Sequence, residues 1–447
     1  MRGYRLRVRI SSRSTRVSRL PLALAVSTAL ASTLVAPITA PAAAAPPYQD
    51  TSRRIGYQQW TSTKQLDRGL ANGVKVVKGS LRMAQPIGTR RYDDPFGHPT
   101  KTYDFGRWTS RWTSPGFGFT ELVASWQAAT PRDSWIQVEA RGRSETGRLS
   151  SWDTLARWSA GDARFHRTSL GEQGDDLARV ATDTWRSNYS MGFTDWQLRL
   201  TLFRRSGTTA SPVVHTLGAM TSRLPEVQRV VPSSPGVARG VSLTLPRYSQ
   251  MIHEGDYPQY DAGGEAWCSP TSVSMVLGYY DRLPSAAEYA WVKSPHPNRF
   301  VDHAARMTFD YEYDGAGNWP FSTAYAATHA DAGFVTRLRS LLEAERFIKV
   351  GIPVVASVAF APGALDGAPI GSTHGHLMVI VGFTESGDVI VNDPAAARNK
   401  GVRRTYDRGQ FENAWLTTAG EYGAAGGLVY VIRDAAHPLP ATRTQNW

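Results

Sequence analysis

From about Val74 to Ser222, apolar and polar residues run in short stretches separated by turn residues: VKVVKG, ELVASWQ, WIQVEAR, ARVATDTW, DWQLRLTLFRR and VVHTLGAM. In DWQLRLTLFRR, Trp196, Leu198, Leu200 and Leu202 fall on one face, while Gln197, Arg199 and Thr201 fall on the other. That two-residue period is the signature of a half-buried strand. The pattern predicts an all-β domain over residues 46–223, most naturally a β-sandwich. Residues 46–73 read as an irregular arm or an edge strand.

The character changes at Gly263. GGEAWCSPTSVSMVLGYYDRL predicts a helix start: Pro270 suits the first turn, Thr271 and Ser272 are placed to satisfy free amides, and Val273, Val276, Leu277 and Tyr280 form an apolar stripe. Further on, RLRSLLEAERFIKVG reads as a helix leading into the strand PVVASVAF. HGHLMVIVGF, the turn ESGD and VIVNDP read as a hairpin, and GGLVYVIR as a closing strand. Residues 246–435 are therefore expected to form an α+β domain, followed by a tail at 436–447. Residues 224–245, which contain PSSPGVARG, read as a linker.

Composition bounds the picture: 447 residues, 41% hydrophobic and 20% charged, are enough for two domains and exclude a disordered interaction tail. The formal charge of +12 suggests nucleic acid at first sight, but residues 1–45 hold seven Arg and no acid. This Arg-rich start runs into an apolar stretch near Leu20 to Val35 and then TAPAAAA, the layout of an export signal cleaved after Ala42, Ala44 or Ala45. A secreted, extracellular protein is expected, without nucleic acid as partner and without a membrane anchor once the signal is removed. The remaining chain carries +5, divided unevenly into +10 over residues 46–245 and −5 over residues 246–447. The basic half suits docking on an anionic cell-wall polymer. Nine of the fourteen Trp lie between residues 60 and 196, where they either fill a core or stack on a sugar or peptide.

Cys268 is the only cysteine, so no intramolecular disulfide can form. A lone cysteine is often a buried structural residue. This one stands at the predicted helix N-terminus, where free N–H groups and the positive end of the macrodipole favour a thiolate. A thiolate nucleophile needs a base, and the base an orienting acceptor. His374 and His376 open the HGHLMVIVGF strand, and Asp393 ends VIVNDP. If the turn pairs Thr384 with Val389, Asp393 lies opposite Ile380, on the face of His376 but four residues away, roughly 13 Å along a strand. A bulge, a strong twist or a chain that curls back at 392–394 is needed to bring them together. A metal site of Cys268, His374 and His376 is the rival reading, and no second closely spaced cluster supports it. No cofactor is expected.

Taken together, CSPTS, GHLMVIVGF and VIVNDP resemble the Cys, His and Asp blocks of the papain-like cysteine peptidases related to the double-glycine leader (bacteriocin-processing) peptidases, family thirty-nine of the cysteine peptidases. The resemblance covers about Val241 to Arg433. It implies a papain-like catalytic domain with Cys268 as nucleophile, His376 as general base and acid, and Asp393 as the group orienting the imidazole. It also implies an oxyanion-stabilising Gln ahead of the Cys, for which PRYSQ points to Gln250, with Gln259 as competitor. Ser269 stands where the family usually has Gly, and its side chain is a candidate obstruction to the thiolate. Tyr311, Tyr313, Trp319 and Tyr325 serve either to shape a substrate cleft or to pack the core. The expectation is a secreted cysteine peptidase acting on a peptide or protein. The alternatives are a peptidoglycan peptide hydrolase or amidase with the same triad, and a non-catalytic wall-binding protein on the same scaffold. Leader processing finds no support, since the chain shows neither a transporter span nor a GxxxxGK[ST] loop.

Overall fold

The alternating runs of the first half become strands, among them Glu121–Ala129, Ser134–Ser144, Phe193–Arg205 and Val213–Arg223. The computed structural model describes residues 52–447 apart from Glu172, Ser294 and Arg443; the expected export signal lies outside the described residues. The described residues are mostly β with few helices, and their strands form three antiparallel sheets. In the first half, Phe193–Arg205 pairs with Lys101–Thr109 on one side and Ser134–Ser144 on the other, within a six-stranded sheet. A seven-stranded sheet is built around Glu121–Ala129 paired with Val213–Arg223. The two share one hydrophobic core, into which the expected face of Trp196, Leu198, Leu200 and Leu202 is buried. Trp60, Trp108, Trp126, Trp135, Trp158 and Trp185 are buried as well, so packing accounts for most of the tryptophan excess. Trp112 and Trp152 are the exceptions: they stay half-exposed, stacked with Arg141, Arg143 and Arg199 at 4.3–5.2 Å.

The second half holds a six-stranded sheet in the order Ala332–Arg337, Leu428–Arg433, Val354–Phe360, Thr373–Phe383, Val389–Asn392, Arg403–Tyr406. Strand alternation sends Val355, Val379 and Val381 to one face and Val354, Met378 and Ile380 to the other. The first set packs with the Cys268–Tyr279 helix, the second with the Leu341–Lys349 and Arg408–Leu416 helices. A strand set buried on both faces reads as a continuous apolar run, which is why HLMVIVGF shows no alternation.

The Cys268–Tyr279 helix departs from the single apolar stripe expected of it. Ser269 to Leu277 are all buried, because the helix sits inside the half rather than on its surface. Thr271 and Ser272 do not cap it: Ser272 Oγ donates to Leu377 O at 3.1 Å, and Thr271 Oγ1 is buried without a partner among the described residues. The Phe300–Thr308, Trp319–His329 and Arg408–Leu416 helices were not anticipated from the pattern.

Residues 224–245 carry no helix or strand, yet they are strapped to the second half. The Glu345 carboxylate accepts from the amides of Gly236 and Ala238 at 2.9 Å each, and Ser242 bridges to Gly382. The tail is also packed, with Asn446 fully buried and Trp447 against Phe347 at 4.9 Å. The two halves meet through buried cations: Arg337 pairs with Glu121 at 2.6 Å, and Arg167 donates to Arg306 O at 2.8 Å. Phe321 and Ala324 of the second half enter the core of the first, and residues 50–447 form one compact unit.

Candidate active site

Cys268 is the first residue of its helix, half-exposed on a cleft of about 790 Å³. The turn before it is shaped by two glycines. Gly263 has φ +117°, a left-handed value that suits Gly, and a Cβ on Gly264 would meet His253 C at 2.3 Å and Gln250 O at 2.6 Å. Only glycine lets the Gln250–His253 turn lie directly against the approach to Cys268.

His376 and Asp393 are brought together by two register changes in one hairpin. Phe383, rather than Thr384, pairs with Val389, and a bulge between Ile380 and Gly382 shifts the ladder once more, so that Val379 faces Asn392. Each shift alone would turn Asp393 to the opposite face; together they keep the face and halve the expected offset along the strand. Asp393 Oδ1 then lies 2.8 Å from His376 Nε2. The bulge depends on Gly382, where a Cβ would meet Val241 O at 2.4 Å.

The pair is buried, with His376 at 3% and Asp393 at 0% exposure. Burial alone would push the imidazole pKa down, but the Asp393 carboxylate and the hydrogen-bonded Cys268 sulfur outweigh it and raise His376 to about 10. Burial likewise pushes the Asp393 carboxyl up. The facing His376, the Tyr406 hydroxyl donating to Oδ2 at 2.7 Å and the Ala395 amide donating to Oδ1 at 3.0 Å hold it below the usual carboxylate range. With Nε2 engaged by Asp393, Nδ1 is the imidazole nitrogen left for Cys268. The arrangement can therefore hold an imidazolium beside a sulfur, oriented by a buried carboxylate.

Gln250 lines the same cleft as Cys268 and His376. Its amide N–H donates to Glu265 O at 2.6 Å, and its backbone N–H to Pro394 O at 2.9 Å, which ties it to the chain just past Asp393. Gln259 is exposed on the turn ahead of the helix. His374 is also exposed, at the cleft rim, stacked on Tyr422 with ring centroids 4.6 Å apart. Ser269 points away from the cleft: its hydroxyl is buried against Ser322 Oγ at 2.9 Å and the Tyr430 hydroxyl at 3.0 Å. Of the aromatics, Tyr313 and Trp319 line the cleft, whereas Tyr325 is buried and Tyr311 bonds Asp162 at 3.2 Å. The first half adds Thr120, Glu121 and Arg186 to the wall of the cleft. Tyr406 and these wall residues escaped sequence reading, since nothing local marks a tyrosine in RRTY or a strand end elsewhere in the chain as neighbours of Asp393 or Cys268.

Two family models match the chain, one in each half. Residues 56–222 match the family model described as Peptidase C39 N-terminal domain, and residues 242–422 match that described as Peptidase_C39 like family. The chain is a C39 peptidase-like protein. No curated protein matches it. Between the two matched regions of this C39 peptidase-like chain lie residues 223–241.

Proposed function

We propose that this protein is an exported cysteine peptidase with a β-sandwich module over residues 46–223 and a papain-like catalytic domain over residues 246–435. The observation that carries the reading is the buried His376–Asp393 pair at 2.8 Å beside Cys268 on a helix N-terminus in the cleft. In the proposed reaction the Cys268 sulfur attacks the scissile carbonyl carbon to form a thioester. His376 gives its proton to the departing amine, then takes one from the water that hydrolyses the acyl-enzyme. Asp393 holds the imidazole in orientation. The Cys268 backbone N–H and the second side-chain N–H of Gln250 stabilise the oxyanion.

The test is alkylation of Cys268 by iodoacetamide across pH, read by mass spectrometry, in the intact protein and in His376→Ala and Asp393→Ala, together with hydrolysis of a mixed peptide library. Fast alkylation at about pH 6 that is lost in His376→Ala supports the reading. Alkylation that is slow until denaturant is added identifies a structural cysteine and overturns it.

A second reading, a wall-peptide hydrolase, is favoured by the half-exposed stack of Arg141, Arg143 and Arg199 on Trp112 and Trp152 within a basic half. Such a surface suits an anionic wall polymer. It predicts salt-sensitive co-sedimentation with isolated cell walls, weakened in Arg141→Ala/Arg143→Ala. Export predicts a secreted chain beginning after Ala42, Ala44 or Ala45.

A further inference from the structure

Behind the Gln250 turn lies a second cluster that the proposed hydrolysis does not use. His253 ends the short helix Met251–His253, Asp256 follows it, and Asp302 sits in the Phe300–Thr308 helix. One ligand-type atom from each falls within 4.8 Å of the others. His253 Nδ1 lies 3.1 Å from Asp302 Oδ2 and 3.8 Å from Asp256 Oδ2. Ligands about 2.1 Å from a shared transition-metal ion stand roughly 3–3.5 Å apart, close to this spacing.

His253 and Asp302 are both 0% exposed, and neither His253 nitrogen nor either Asp302 oxygen makes a hydrogen bond among the described residues. An ionisable pair is not ordinarily buried in this state, because interior charge and polarity require partners with good geometry. The 3.1 Å approach of His253 to Asp302 lacks hydrogen-bond directionality, so a bare ion pair leaves both groups poorly satisfied. A cation facing all three satisfies them together. The other clustered set, Asp94, His98 and His166, is already internally bonded: Asp94 accepts from the His166 amide and ring, and His98 from its ring bonds Asp162 O.

We propose that His253, Asp256 and Asp302 bind one divalent transition cation of the zinc class. One imidazole nitrogen with two carboxylates suits such an ion better than calcium or magnesium, which favour all-oxygen shells. The site takes no part in the proposed bond cleavage. Its ligands join the turn that begins at Gln250 to the Phe300–Thr308 helix, which packs on the Cys268–Tyr279 helix, so the ion fixes the position of that turn.

The experiment uses the full chain carrying Cys268→Ala, which removes the thiol as a competing ligand. Protein stripped with chelator is titrated with zinc, and bound metal is counted by mass spectrometry while thermal unfolding is followed. One equivalent of zinc and a rise in Tm of at least about 4 °C are expected. Asp256→Asn, whose carboxylate is only partly buried and so folds without difficulty, is expected to weaken binding about tenfold or more, and His253→Gln at least as much. Absence of a bound equivalent, or an equivalent that binds Asp256→Asn as tightly as the parent, overturns the site. These readouts do not depend on hydrolysis, so the site and the peptidase reading fail separately.

Discussion

Tyr406 holds Asp393 Oδ2 through a single hydroxyl, and a hydrogen bond to a buried carboxylate contributes about 1.5–3 kcal/mol. Tyr406→Phe is therefore expected to lower both stability and peptide hydrolysis, the latter by roughly tenfold, while Asp393→Asn lowers hydrolysis by about 10³–10⁴-fold. Thermal unfolding across pH gives the sign of the His376–Asp393 interaction. Asp393 has a lowered folded pKa, so its contribution is present above the ordinary value of 3.8 and is lost as pH falls through the folded value. His376 has a raised one, so its contribution is full below 6.5 and fades as pH climbs to about 10. The Tm difference between the native chain and Asp393→Asn should be largest between those limits and shrink toward pH 10. Ser269→Gly is expected to leave the Cys268 alkylation rate unchanged while costing about 1–2 kcal/mol, because its hydroxyl serves Ser322 and Tyr430 rather than facing the cleft. An alkylation rate that rises in Ser269→Gly would show that the side chain does obstruct the thiol.

The hairpin of Thr373–Phe383 and Val389–Asn392 shows which part of the site the sequence carries and which it does not. Residue chemistry was legible: a cysteine after a glycine pair, a histidine heading an apolar run and an aspartate before a proline stand out locally. The register was not. One shift comes from the turn, which the Thr384 N–H closes on Asp388 O at 2.9 Å; the other is the bulge at Gly382, which lies against Val241 and Ser242, more than a hundred residues upstream, and no periodicity within VIVGFTESGDVIV encodes either. Gly382→Ala tests the point. The added Cβ must displace backbone at Val241 and Ser242, so a loss of roughly 2 kcal/mol or more is expected. Slower Cys268 alkylation should accompany it as Asp393 moves off His376. Unchanged alkylation in a destabilised variant would separate the bulge from the site. The same reasoning explains the helices the pattern missed. Trp319–His329 is buried nearly throughout, and a helix without a polar face has no 3.6-residue contrast to detect.

At the scale of the whole molecule, Arg337 and Glu121 tie the halves through a charge pair with Arg337 only 2% exposed. Burial pushes the Glu121 carboxyl up, but Arg337 and Arg186 outweigh it and hold it below the usual carboxylate range. Its contribution is thus present above the ordinary value of 4.5 and is lost as pH falls through the lowered folded value. Glu121→Gln leaves Arg337 buried without its counter-charge, a loss of about 3–5 kcal/mol, and calorimetry should show both halves unfolding in one transition at lower temperature. Two resolved transitions would mean that the halves are thermodynamically separate.

The segment 224–245 is where the chain passes from one half to the other, but covalent continuity there is not what keeps the halves together. Arg337 on Glu121, Arg306 on Asp162 and the Trp319 amide on Asp183 all cross between them independently of that backbone. A protease that nicked residues 224–245 would therefore leave two fragments still assembled, co-eluting as one particle and separating only in denaturant, with Thr120, Glu121 and Arg186 still lining the cleft that holds Cys268.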